Sequence, residues 1–125
     1  MSDEDFYNFL LEAFKRAYEI SDDGASIYVF HADAKGLIFR RAFVDSGFKH
    51  SQCCIWVKNT FVMGRQPYQW QHEPIIFGWK PTGAHYWNGD RKLYMTHFNL
   101  IHKILKKMYK LWMINASFEL ISSLI

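Results

Sequence analysis

The chain is short of the residues that staple small secreted folds and of those that build nucleotide-binding turns. It has two cysteines, Cys53 and Cys54, and they are adjacent. Neighbouring residues of a strand point to opposite faces, so this pair would bridge only with strain and reads as two reduced core thiols. A disulfide-built scaffold is thereby excluded. The three prolines, Pro67, Pro74 and Pro81, are never adjacent, and no two of the seven glycines lie two residues apart. No positively charged start leads into an apolar stretch and a small-residue cleavage site. That absence argues against a secretory signal and makes cytoplasmic the default location. Residues 93–125 have deficits of their own, with no Gly, Pro, Asp or Arg.

What is present points to a folded chain. Half of the 125 residues are hydrophobic and 18% are aromatic, which is surface that must be buried and is incompatible with a disordered polymer. The length suits one core. The net charge of +3 conceals an asymmetry, since residues 1–30 carry seven acids and two bases whereas residues 31–125 carry five acids and thirteen bases. A positive later part suits an anionic partner, nucleic acid or membrane surface, and equally describes a solvated basic face.

The apolar pattern predicts an order of elements. Ser2 and Asp5 resemble a capping box, and Phe6, Phe9, Leu10, Ala13, Phe14, Ala17 and Ile20 recur at helical spacing, which predicts a helix over 3–20. Turn residues 21–24 end it, and residues 25–30 form a short apolar run of the kind buried on both faces, predicting a central strand. A second helix fits 34–46, with Leu37, Ile38, Ala42 and Phe43 inward and Gly47 as its left-handed cap. Strands follow at 50–57 and 74–79, joined by a long loop over 58–73, with Pro74 at the start or edge of its strand and Trp56 and Trp79 in the core. Residues 80–92 read as a polar loop. Helix, strand, helix, strand, strand is an α/β pattern with too few strands for a sheet covered on both faces.

Beyond residue 92 the text changes. Phe98, Ile101, Leu105, Met108 and Trp112 share one helical face with lysines largely off it, predicting an amphipathic helical tail over 93–125 that is too often interrupted by lysine to span a membrane. The division expected is therefore 1–92 and 93–125. A basic amphipathic helix over 93–114 also permits a non-enzymatic reading, a small interaction or membrane-surface protein.

A succession of words carries a family resemblance: the helix from Asp5-Phe6-Tyr7 to Tyr18, then residues 23–31, then Gly47-Phe48, then residues 54–59, and finally residues 71–76. In this order and spacing, residues 3–92 resemble an interior part of the catalytic domain of SAM-dependent DNA adenine methyltransferases of the permuted, phage type. The resemblance covers about three quarters of the chain. It implies a partial Rossmann-like sheet, mostly parallel with a reversed strand near one edge, and ligands collected outside the carboxyl ends of the strands. It also implies DNA as partner and SAM as the methyl donor of the parent family.

Departures from the family's pattern bear on catalysis. An adenine must leave the base stack and present its exocyclic nitrogen to the sulfonium methyl. Family members grip it with Asp-Pro-Pro-Tyr and hold SAM on a glycine-rich turn, and neither motif occurs in these 125 residues. The resemblance thus implies a truncated chain that is inactive alone, binds no SAM by itself and retains at most weak DNA affinity; an alternative is an enzyme half that docks with a separately encoded remainder.

On the same mapping His31 lies at a strand's carboxyl end beside the base pocket, where it either contacts DNA or is simply solvated. Lys58 and Arg65 are cations suited to phosphate, or to solubility alone. Tyr68 and Trp70 offer rings for base stacking, or pack beneath their own loop. His72 and Glu73 border that loop. His72-Glu73 lacks a second histidine within helical reach, so no zinc-protease pattern exists and no metal is expected. Glu73 is expected to pair with a nearby cation.

Overall fold

The computed structural model describes residues 1–85 and 96–98. Helix α1 spans Asp3–Ile20, as its cap and periodicity predict. The Ser2 Oγ accepts from the Asp5 N–H at 3.1 Å and donates to the Asp5 carboxylate at 2.8 Å, while Asp3, Glu4 and Asp5 face the positive end of the helix dipole. Its buried residues are Tyr7, Leu10, Phe14 and Ala17. The inward stripe is rotated from the expected one, since Phe9 is 38% and Ile20 63% exposed. Tyr7 fixes that rotation by donating its hydroxyl to Asp45 beneath the Arg41 guanidinium, 3.8 Å above its ring.

Strand β1 spans Ser26–Phe30 after a turn in which Gly24 takes φ +77°. A 3-10 turn, Asp33–Lys35, leads into α2, Gly36–Asp45, which ends before Gly47 at φ +107°. Phe39, Ala42 and Phe43 point inward, whereas Leu37, expected inside, is 83% exposed. The correction follows from geometry: three inward residues at i, i+3 and i+4 place the position two before Phe39 on the outer face.

Strands β2, Lys49–Val62, and β3, Trp70–Trp79, form a long antiparallel hairpin, and β4, His97–Phe98, lies parallel to β2. The order is β1-β3-β2-β4. Strands β1, β2 and β4 run one way and β3 runs back between β1 and β2, which supplies the reversed strand. Both hairpin strands extend into the expected 58–73 loop, leaving only 63–69 between them. Phe61, Val62 and Trp70 are strand-favouring residues that continue the pairing past a register irregularity between Val57 and Val62.

Pro74 is also corrected: it sits within β3 rather than at its start. It is tolerated because its missing donor falls opposite His31, one residue past the end of β1, while its carbonyl still accepts the His31 N–H at 3.3 Å. Strand β1, expected to be central, is outermost next to β3 among the described strands, although all five of its residues are buried. Ile27, Val29 and Ile76 pack under the helices with Leu10, Phe14 and Phe43. Tyr28, Phe30, Cys54, Ile75 and Phe77 form a second cluster on the opposite face, with Trp56 and Trp79 half-buried against it. His97 and Phe98 belong to the sheet rather than to a helix, the carbonyl of Thr96 before them accepts the Ile55 N–H at 2.7 Å, and the remainder of the expected tail lies outside the described residues.

Candidate functional site

Because β1 and β2 run in the same direction, their carboxyl ends lie on one side of the molecule, and there the hairpin continues beyond the helices as an arm. Between the arm and the chain leaving β1 is an open cleft of about 260 Å³. Ala32, Asp33 and Ala34 make one wall; Val62, Met63 and Trp70 make the apolar part of the other, with Lys58, His72 and Glu73 at its base.

Four of the seven sequence-derived candidates, Lys58, Trp70, His72 and Glu73, therefore meet in one cleft. Glu73 finds its cation in Lys58, Nζ to Oε1 at 2.9 Å, and the ammonium also lies 5.4 Å from the centre of the Trp56 ring. The side chains are 28% and 35% exposed, so the pair is half-screened, and Lys58 reaches the cleft with its charge already matched. The Gln71 amide ties the strands together by donating to the Lys58 carbonyl at 3.1 Å. Trp70 and His72 meet edge to face, ring centres 5.4 Å apart, on one face of β3.

Arg65 and Tyr68 stand apart from the cleft walls, at the tip of the arm. Tyr68 is 89% exposed, which overturns the alternative that it packs beneath its loop. Arg65 is exposed and has no ion pair among the described residues.

His31 lies at the carboxyl end of β1, as expected, but its side chain is neither solvated nor in the cleft. It is 4% exposed, its ring lies 5.1 Å from that of Phe39, and its Nδ1 lies 3.2 Å from the Val29 carbonyl. That carbonyl only accepts, so Nδ1 carries the proton. Burial is the largest influence on the ring and lowers its pKa, so His31 is held neutral. What it contributes to the cleft is the backbone course of Ala32 and Asp33.

Asp33, Val62 and Met63 line the cleft and were not singled out in the sequence. Asp33 carried a usable signal, standing three residues beyond β1 where ligands of α/β sheets collect. Val62 and Met63 carried none, because their place depends on the hairpin extending through an expected loop. Among the described residues, no three His, Cys, Asp or Glu side chains come together as a metal site, and no helix is long and apolar enough to cross a membrane. The cleft offers two rings, the Gln66 amide and two carboxylates, Asp33 and the Lys58-paired Glu73, the equipment of a recognition surface.

Comparison with known structures bears on the frame around this cleft. The chain superposes on the crystal structure of the M1.HpyAVI–SAM complex with a TM-score of 0.61 at 15% sequence identity. The fold is a partial Rossmann-like sheet. The match covers 72% of this chain and 47% of the other, so this chain corresponds to about half of that protein. No protein-family model matches the chain, and no curated protein matches it.

Proposed function

We propose that this chain forms the DNA-facing side of a SAM-dependent DNA adenine methyltransferase and does not complete methyl transfer by itself. The observation that carries the reading is the placement of the cleft and arm at the carboxyl ends of β1 and β2, within a sheet that superposes on a SAM complex. Sites of open α/β sheets lie in that position.

The described residues of the cleft do not offer a seat for SAM. Among the described residues, the strand-to-helix turn after β1 has no glycine-rich loop and holds the buried His31 and the carboxylate of Asp33. Gly64, the glycine that lines the cleft, belongs to the hairpin tip rather than to a strand-to-helix turn. No step through the cofactor is therefore assigned to these residues. The base grip and cofactor turn would come from outside these 125 residues.

The test is incubation of the purified chain with methyl-labelled SAM and adenine-containing DNA, with DNA retention followed in parallel. DNA retention without incorporation is expected, because aligning the reacting groups needs the two absent motifs. Incorporation above a protein-free blank, or failure to retain any DNA, contradicts the proposal.

A further inference from the structure

Resting on that reading, we infer that the arm binds unpaired nucleotides in preference to duplex, with the exposed Tyr68 ring as a stacking platform and the Trp70 side of the cleft as the seat of a second base. From Asn59 to His72 the chain contains no carboxylate, while it holds Arg65, three aromatic residues and four side-chain amides. Phe61 is 51%, Met63 76%, Tyr68 89% and Trp70 39% exposed. Leaving this much ring and apolar surface in water is unfavourable unless a partner covers it.

Charge decides the kind of partner, and strand state follows from how little charge there is. Glu73 is neutralised by Lys58, which leaves Arg65 at the tip and the Asp33 carboxylate on the facing wall of the cleft, so the positive charge that admits an anion lies at the tip of the arm. Among the described residues Arg65 is the arm's cation outside any ion pair, and duplex affinity depends chiefly on several phosphate contacts. One guanidinium is too few. A duplex hides the faces of its bases, whereas an unpaired strand offers a face to any exposed ring, and such stacking tolerates any sequence. Gln66 and Gln69 lie at the same tip; the Gln69 carbonyl oxygen accepts the Gly64 N–H at 2.7 Å, and its amide donates to the Gln66 carbonyl at 3.2 Å. These bonds shape the tip that holds Tyr68 outward.

The experiment is fluorescence anisotropy of the full chain with three labelled probes of equal length: a mixed-sequence single strand, the same strand as duplex, and an abasic single strand. Vesicles of zwitterionic and anionic lipid form a fourth arm. The single strand is expected to bind about tenfold or more tighter than the duplex or the abasic strand. Tyr68→Ala should weaken single-strand binding about 5- to 100-fold, and Tyr68→Phe should keep it, since each stacked ring contributes on that scale. At 89% exposure Tyr68 is outside the core, so neither variant threatens folding. Equal binding of single strand and duplex, with Tyr68→Ala silent, overturns the inference and leaves the DNA-facing reading standing. Vesicle binding lost in Tyr68→Ala without any strand preference assigns the arm to a membrane and also overturns it. No binding to any nucleic acid ends both.

Discussion

Glu73 determines how much charge the arm can show a partner. Its carboxylate holds the Lys58 ammonium at 2.9 Å, so Glu73→Gln should release one cation at the base of the cleft. Because both side chains are about a third exposed, the pair contributes little to folding, and we expect a stability loss under about 1 kcal/mol. Duplex DNA affinity should instead rise severalfold, with a steeper dependence on salt, as one more phosphate contact becomes available. An anisotropy titration at two salt concentrations reads this, and unchanged affinity would show that Lys58 faces away from DNA.

His31 yields a pH prediction of definite sign. Burial lowers its pKa below the ordinary 6.5, so the unfolded chain takes up a proton that the folded chain refuses. Its contribution to stability is intact above about pH 6.5 and is lost as pH falls below that value. His50 is shifted in the same direction by burial and adds to the effect. The drop in Tm between about pH 7.5 and about pH 5.5 should shrink in His31→Phe, which keeps an aromatic ring on Phe39. An identical drop in the variant would place the pH sensitivity elsewhere. At this scale the sequence disclosed chemistry better than direction: it predicted a cation for Glu73, yet exposed His31, and placed Leu37 and Phe9 inward. Apolar residues stand all around both helices, so spacing alone does not fix which stripe faces the sheet.

Among elements, α1 was readable to the residue because a cap, an acidic first turn and a terminating turn all agree there. The hairpin was not. A run of Asn, Gly, Arg, Gln and Pro has loop composition, but antiparallel pairing resumes at Val62 with Trp70 beyond an irregularity, and only the fold supplies that partner. Gly78 shows how tightly that pairing is packed. A Cβ at this position would lie 1.9 Å from the Lys49 carbonyl oxygen and 3.0 Å from Phe43 Cζ. Gly78→Ala must therefore push β2 away from β3 where α2 packs on them, and should cost about 1–3 kcal/mol or more. A urea midpoint unchanged by the substitution would show that the two strands are not so closely joined.

For the whole molecule, β1 has the apolar text of a strand covered on both faces, and it is covered, yet among the described strands it pairs on one side only. The sequence holds too few strands for a full sheet covered on both faces, and the chain superposes on 47% of the length of the M1.HpyAVI chain. The cleft was legible only in part, because it forms where the arm rises over the exit of β1, a juxtaposition of residues some thirty positions apart that no local pattern encodes. The tilt of charge toward the later residues suits an anionic partner or a solvated basic face alike, and six of its thirteen bases lie outside the described residues. The most direct test is photo-crosslinking of the full chain to bromouracil-substituted DNA, with adducts mapped by mass spectrometry. Adducts on Tyr68, Trp70 and His72 are the predicted result. Adducts confined to the acidic face of α1, or none on the 58–73 segment while DNA remains bound, would contradict the assignment of this cleft and arm to DNA.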